Sequence, residues 1–418
     1  MPKLRKLHVA LSVAETGSFS GAARLINMTQ PAVTRAVQSL EDELGIVLFH
    51  RSSRTLALTD AGKLLIARIR RTQYHLRRSE TELRGLNRNA PAEEYSFVQH
   101  ASDHEFAALL GIADFGSINS AARAAGLTQP ALSKSLRTLE NRIGSALFYR
   151  MKTAMKLTRS GEVLLRRVKL AQSEIRQAVE EIGYLRGETG GRIRIGALPL
   201  TLGGLVPVAV EKLLCTFPDA QVAIVDGTYE ALLKDLAEGN IDILAGTIRQ
   251  PIPIGGLESE ELFRDDIAII AALNHPLAAR DHVSLADCLE HGWVLPFGGV
   301  PIRALFEAAL SAEGLPPPRN VIETDSVVAV RSLLLRGDRL ALLSRFQVDL
   351  EVDWRVLKIL PVEISSGYRP VGITIRSDFS PTPMASALLR SLREVAAELG
   401  ATRPGSLIEP GIKTPAHS

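Results

Sequence analysis

Residues 17–31 read GSFSGAARLINMTQP, and residues 116–130 read GSINSAARAAGLTQP. The offset of 99 residues holds without a gap: Gln30 matches Gln129, Leu48-Phe49 matches Leu147-Phe148, and Leu58, Thr59 and Gly62 match Leu157, Thr158 and Gly161. From Leu4 to Ile69 roughly one position in three is identical to its counterpart, beyond chance self-similarity. Two copies are too few for a solenoid, so the pattern predicts a duplicated domain.

Each copy reads as three helices and a small hairpin. Leu4, Leu7, Leu11 and Ala14 recur at helical spacing and Gly17 closes that helix. Ser18 or Ser20 can cap the next run, Gly21-Ala22-Ala23-Arg24-Leu25, whose small side chains admit a close neighbour. Asn27, or Gly126 in the second copy, permits a tight turn. Thr29 then caps a third helix with Pro31 in its first turn, where a missing N–H costs nothing. That helix has Val33, Val37 and Leu40 to pack and Thr34, Arg35 and Gln38 free on another side. The extended runs Leu48 to Arg51 and Leu56 to Thr59 flank Ser52-Ser53-Arg54 as a basic wing. Two helices joined by a turn, the second polar and basic, form a helix-turn-helix. Its second helix fits the major groove while the wing meets phosphate or the minor groove.

Phe19-Ser20-Gly21-Ala22-Ala23, Thr29-Gln30-Pro31-Ala32-Val33-Thr34, Leu40-Glu41, Leu44-Gly45, Leu48-Phe49-His50-Arg51, Leu58-Thr59 and Gly62 resemble the N-terminal domain of LysR-type transcriptional regulators. The second copy resembles it too, and the resemblance extends over nearly the whole chain. By position it implies base and phosphate contacts from Thr29, Gln30, Pro31, Thr34, Arg35, Gln38, Arg51 and Arg54. In the second copy it implies them from Thr128, Gln129, Pro130, Ser133, Lys134, Arg137, Arg150 and Lys152. Thr153 stands where the first wing has Arg54, so the first copy is expected to bind DNA more strongly.

Charge follows the same division. The 418 residues carry a net +3, but residues 1–90 hold 15 Lys and Arg against 7 Asp and Glu, and residues 91–189 hold 13 against 11. The remainder holds 21 against 28. A basic front and an acidic rear point to a polyanion at one end and a different partner at the other. The longest apolar run, Ile267 to Leu273, is far short of a membrane span. Leu4, Leu7 and Leu11, with His8 and Glu15 between and beyond them, make the N-terminus an amphipathic helix rather than a signal peptide. With only Cys215 and Cys288, both read as buried small hydrophobes, no disulfide framework forms and a reducing cytoplasm is expected.

A long helix follows each copy. In the second, Leu164, Val168, Ala171, Ile175, Val179, Ile182 and Leu185 form a seam expected to pair with a second chain; Leu65, Ile69, Leu76, Leu83 and Leu86 form a poorer one, interrupted by polar residues. From Gly190 strands and helices alternate: strands at 192–198, 221–225 and 241–245 and helices at 205–214 and 229–237 predict a doubly wound, mainly parallel sheet. A second series runs from 267 to 360, and Val371 to Ile375 can return to the first sheet.

The expected fold is multidomain, α followed by α/β. Its parts are a winged helix-turn-helix domain at 1–62, a linker helix at 63–89, a linker at 90–101, a second winged helix-turn-helix domain at 102–161 and a dimerising helix at 162–188. Effector lobe I takes 189–267 and 370–400, lobe II takes 268–369, and 401–418 is expected to be a disordered tail. The two-lobed part resembles the effector domain of the same regulators and, more distantly, periplasmic binding proteins. Gly196-Ala197-Leu198-Pro199 and Leu340 to Arg345 resemble the subgroup containing regulators of sugar-binding proteins and of aromatic-acid catabolism.

Ligands of such sheets sit beyond the strands' C-terminal ends, where helix N-termini favour anions. That rule places Leu200, Thr201, Gly227, Thr228, Gly246 and Thr247 on one wall and Phe297, Gly298, Gly299, Val300, Thr324, Asp325 and Ser326 on the other. Each Thr can equally be an ordinary helix cap, but three at successive strand ends favour a ligand site. An effector site built from Leu200, Thr201, Thr228, Thr247, Phe297, Gly298, Val300 and Ser326 is expected to take an organic acid or sugar derivative.

The leading expectation is a cytoplasmic regulator that binds double-stranded promoter DNA as a homodimer or homotetramer, answers to a small metabolite, and engages RNA polymerase if it activates. Catalytic residues, metal and cofactor are not expected: there is no G-x-S-x-G elbow, Walker loop or dinucleotide turn, and His100 with His104 lacks a third ligand. The competing readings are an effector-independent repressor whose lobes serve only assembly, and an α/β enzyme fused to DNA-binding domains.

Overall fold

Helix α1 (Leu4–Thr16) closes at Gly17, whose N–H bonds to the Val13 carbonyl. The computed structural model describes residues 2–51, 56–86, 101–151, 154–364 and 368–401. These form two units, one of residues 1–190 with 238–240 and one of the rest. In the first unit α2 (Phe19–Leu25) begins at Ser18, whose hydroxyl accepts from Gly21 N, so Ser18 rather than Ser20 is the cap. Asn27 adopts φ 53° and Gly126 φ 64°, the left-handed turns expected at both positions. Helix α3 (Gln30–Leu44) starts after Thr29, but the Thr29 hydroxyl makes no capping bond; Pro31 in the first turn does the fixing. Val33, Val37, Leu40 and Leu44 are buried with Leu7, Leu11 and Ala22. Strands β1 (Phe49–Arg51) and β2 (Leu56–Leu58) pair antiparallel, and α4 (Asp60–Leu86) follows.

The order then repeats: α5 (Asp103–Phe115), α6 (Ile118–Ala124), α7 (Gln129–Ile143), β3 (Phe148–Arg150), β4 (Met155–Leu157) and α8 (Arg159–Leu185). Its core again draws on all three helices, with Leu109, Ala121, Leu132, Leu136 and Leu139 buried. The recurring Gly62 and Gly161 have a shared cause. A methyl group on either would sit 2.1 Å from a backbone oxygen, that of Leu48 or Leu147.

The seam of α8 does not await a second chain, because α4 of the same chain covers it. Ile175, Ala178 and Ile182 of α8 join the core of the first copy, while Leu76 and Leu83 of α4 join that of the second. Val179, Leu185 and Leu86 are exposed, and Ala178 takes the buried place expected for Val179. The polar interruptions of α4 are part of this contact: Arg68, Thr72, His75 and Ser79 are buried.

In the second unit β5 (Gly191–Ala197), α9 (Pro199–Leu202), α10 (Leu205–Thr216), β6 (Ala220–Asp226), α11 (Tyr229–Glu238), β7 (Ile243–Thr247) and β8 (Leu257–Asp265) precede β9 (Ile267–Ala272). Then come α12 (Leu285–Leu289), β10 (Gly292–Leu295), α13 (Pro301–Ala312), β11 (Val321–Glu323), α14 (Val327–Arg336), β12 (Arg339–Ser344), α15 (Asp349–Asp353) and β13 (Leu357–Ile359). Finally β14 (Arg369–Arg376) returns to the first sheet and α16 (Pro383–Ala401) supplies Leu388 and Leu392 to its core. The sheets run β6-β5-β7-β14-β8 and β11-β10-β12-β9-β13.

Neither sheet is mainly parallel. In each, two ladders are parallel and two antiparallel, because the strands that cross between sheets, β14 and β9, enter against their neighbours. Cys288 is buried as expected and its thiol is pushed up to about 12 by that burial, but Cys215 is exposed on α10. Residues 87–100, with His100, and the tail 402–418 lie outside the described residues. Among the described residues no helix is long and apolar enough to cross a membrane, and no cluster of three His, Cys, Asp or Glu could hold a metal ion.

Candidate functional site

Helix α3 presents Gln30, Pro31, Arg35 and Gln38 to solvent, beside exposed Thr29, with Thr34 half-buried. The first turn holds its own polar groups: Thr34 Oγ1 donates to the Gln30 carbonyl at 3.0 Å and Arg35 Nε to the Pro31 carbonyl at 3.4 Å. Neither bond is to another element, so both side chains can turn outward. Helix α7 exposes Gln129, Pro130, Lys134 and Arg137, beside exposed Thr128, with Ser133 half-buried; Gln129 Nε2 reaches Ser133 Oγ at 3.3 Å. Thr128, unlike Thr29, does cap, accepting from Ala131 N at 3.4 Å. Arg150 is exposed at the end of β3. The side chain of Arg51 and all of Arg54, Lys152 and Thr153 lie outside the described residues.

The two long helices that follow these exposed faces are locked by charge. Arg68 donates through Nε and Nη2 to the two oxygens of Glu181, and through Nη1 to Glu174 and Gln177 at 2.7 Å each. At the far end Arg167 makes the corresponding paired bonds to Glu82, which Arg166 also reaches at 3.0 Å. An early residue of each helix thus meets a late residue of the other, so α4 and α8 run antiparallel. Between the ends, Glu174 receives Arg71 Nε at 2.9 Å and faces His75 Nε2 at 3.7 Å. Burial opposes ionisation of Glu174, but the surrounding His75, Arg71 and Arg68 outweigh it and hold the carboxyl down at about 2.

In the second unit a cavity of about 510 Å³ lies between the two sheets. Leu200, Thr228, Thr247, Gly298 and Val300 line it, as do the starts of α11, α13 and α14. Three expected residues do not. Thr201 is buried, its hydroxyl donating to the carbonyls of Leu198 and Ala245, which fastens α9 to the end of β7. Phe297 is half-exposed and gives its backbone N–H to Asp325. Ser326 caps α14 through Ala329 N at 3.3 Å. Thr228 lines the cavity and also caps, accepting from Ala231 N.

The strand-end rule overlooked Tyr229, Arg249, Gln347 and Arg369, all in the cavity wall. Arg249 lies 4.1 Å from the Tyr229 ring centre and pairs with Glu230 at 2.9 Å, yet its buried Nε has no hydrogen-bond partner among the described residues. Arg369 Nε bonds Asp265 at 2.7 Å, leaving buried Nη2 without a partner. Burial pushes the Asp265 carboxyl up, against the pull of Arg369 and of the hydroxyl donated by Ser344. Because β14 is antiparallel to β7, with Val371 opposite Thr247, it brings its N-terminal residue Arg369 to the cleft. The signal was therefore in the strand's direction rather than in its sequence.

Winged three-helix units ahead of a two-sheet α/β domain with a cleft define a DNA-binding regulator with an effector domain. The family described as bacterial regulatory helix-turn-helix protein, lysR family, matches residues 4–63 and again 104–162. The LysR substrate binding domain matches residues 186–397. The chain belongs to the LysR family: it is a DNA-binding transcription regulator with an effector-binding domain, and its relatives are regulators, not enzymes. It is similar to the HTH-type transcriptional regulator GalR of Pseudomonas putida, 29% identical over 398 residues, 95% of this chain and 98% of that one. It is also similar to the HTH-type transcriptional regulator PcaQ of Agrobacterium fabrum, 32% identical over 284 residues, 68% of this chain and 91% of that one. In fold it is similar to CbnR in complex with its target DNA, at TM-score 0.51 and 17% identity over 70% of this chain and 98% of that one. A full-length OxyR variant from Pseudomonas aeruginosa gives 0.53 and 22%, covering 69% and 94%.

Proposed function

We propose that both N-terminal units are winged helix-turn-helix domains, a duplication within one chain, and that Thr29, Gln30, Pro31, Thr34, Arg35 and Gln38, with their counterparts 99 residues on, meet DNA. The polar outward faces of α3 and α7 support this reading. Arg51, Arg54, Arg150 and Lys152 serve phosphate in the same scheme. The regulator works in the cytoplasm on promoter DNA, assembles as a homodimer or homotetramer through surfaces other than the α4–α8 seam, and engages RNA polymerase where it activates.

The effector is a small organic anion, a sugar acid or an aromatic acid in keeping with the subgroup its sequence resembles. The observation that carries this is the pair of cavity arginines, each with a buried nitrogen awaiting an acceptor. Three helix starts add partial positive charge to the same wall. A carboxylate that bonds Arg249 and Arg369 on the first sheet and also meets the starts of α13 and α14 on the second draws the two lobes together and so changes the regulator's conformational balance.

Retardation of DNA from upstream of its own gene tests the first part: affinity falls steeply between 50 and 200 mM salt, as counterion release requires. Affinity indifferent to salt excludes the assignment. For the effector, a thermal-shift screen of sugar acids and aromatic acids is expected to raise the melting temperature with carboxylates and not with their amides. Arg249→Gln then weakens the hit roughly tenfold or more, the worth of a charge-assisted hydrogen bond. An amide that stabilises as well as its acid overturns the anionic reading, and no shift from any compound favours lobes used only for assembly.

A further inference from the structure

The α4–α8 contact has the form of a dimer interface folded into one chain. Residues 68 and 167 are counterparts under the 99-residue repeat, and so are 82 and 181, so Arg68 on Glu181 and Arg167 on Glu82 are the same bond viewed from the two sides of a pseudo-twofold axis. His75 and Glu174 are counterparts of each other, and they meet at that axis.

An interface of two identical helices puts like residues there. Two copies of α8 would oppose Glu174 to Glu174, with Leu170 standing where α4 has Arg71. Two copies of α4 would gather Arg68, Arg71 and His75 from both sides with no Glu174 between them. Buried like charges repel, whereas the unlike pair surrounds one carboxylate with three α4 side chains. The 16 residues between α4 and α5 hold the unlike partner at a high effective concentration, which favours closure within the chain.

We infer that a single chain presents both reading helices of a DNA-binding pair, and that its target is two unlike half-sites rather than a palindrome. This rests on the reading of both N-terminal units as DNA-binding domains. The two helices share Thr, Gln and Pro at their starts but differ at the next outward positions: Thr34 against Ser133, Arg35 against Lys134, and Gln38 against Arg137. Glutamine matches the donor and acceptor edge of adenine, and arginine the two acceptors of guanine. The half-sites therefore share the bases met by the first turn and differ most where Gln38 and Arg137 reach, with adenine in one and guanine in the other. A larger assembly of chains repeats this unlike pair and does not turn it into a like one.

Selection of bound fragments from random-sequence duplexes by the full-length protein, repeated with Gln38→Ala and Arg137→Ala, tests the inference. The wild type is expected to yield a motif of two related but unequal halves. Gln38→Ala flattens the preferred base in one half by about tenfold and leaves the other unchanged, while Arg137→Ala does the opposite. A perfect palindrome, or one variant eroding both halves while the other erodes neither, shows that like copies from two chains read the site and overturns the inference while leaving DNA binding intact. Recovery of no motif at all is a different failure, which removes the DNA-binding reading and the inference with it.

Discussion

The two N-terminal copies keep their folding contacts and change the rest. Glu41 accepts from Leu48 N at 2.8 Å, and its counterpart Glu140 from Leu147 N at 2.9 Å. Thr59 and Thr158 both give a hydroxyl to the start of the long helix, accepting from Gly62 and Gly161 at 3.0 Å. Between the first and third helices, however, Lys6 meets Glu43 in one copy while Glu105 meets Arg142 in the other, the same bridge with its signs exchanged. The long helices differ in a way that makes each the other's partner. What stays alike sets the unit's shape; what differs decides which unit it joins.

The largest expected effect lies where the copies meet. Arg68→Ala leaves Glu174 and Glu181 buried without their shared cation, a loss of about 3–5 kcal/mol. Arg167→Ala deprives only the more exposed Glu82, which keeps Arg166, and costs markedly less. Thermal or denaturant unfolding of the two variants orders them; equal losses would mean that the interface is symmetric in energy as well as in geometry. Acid gives an independent measure. Because the folded Glu174 carboxyl titrates at about 2 against an ordinary 4.5, its contribution is complete above about 4.5 and disappears as pH falls toward 2. That amounts to roughly 3 kcal/mol, and Glu174→Gln removes this part of the acid sensitivity.

Gly62→Ala and Gly161→Ala come next. In both copies the added methyl meets a backbone oxygen at 2.1 Å, so the start of α4 or α8 must shift, at about 1–3 kcal/mol each. Equal costs are expected from chemical unfolding, and a harmless Gly161→Ala would break the equivalence of the two wings' supports.

Much of this was legible in advance. The repeat marked out the helices, because Val33, Val37 and Leu40 have one period and Gly17 and Asn27 mark the turns. The partner of α8 was not legible from its apolar stripe. A stripe shows that a face will be covered but not by what, and the answer lay in residues that looked like defects, Arg68, Thr72 and His75. The cavity wall was half legible. Leu200, Thr228, Thr247, Gly298 and Val300 sit at strand ends or helix starts, where the parallel-sheet rule looks, while Arg369 arrives on an antiparallel strand and Arg249 lies two residues past a strand end. Thr201 met the positional rule, but its hydroxyl found backbone carbonyls first.

The smallest effect tests whether the inverted bridges identify their copies. Lys6 and Glu43 are partly exposed, at 27% and 34%, so their bond is worth well under 1 kcal/mol. Lys6→Glu alone places two carboxylates together and lowers stability by a few tenths of a kcal/mol. Adding Glu43→Arg rebuilds in the first copy the arrangement of the second, Glu105 with Arg142, and is expected to recover the loss. A double-mutant cycle by thermal unfolding reads the coupling directly. If the double variant remains as weak as the single one, the sign of the bridge depends on surroundings beyond the pair, and the copies differ more deeply than their shared helices suggest.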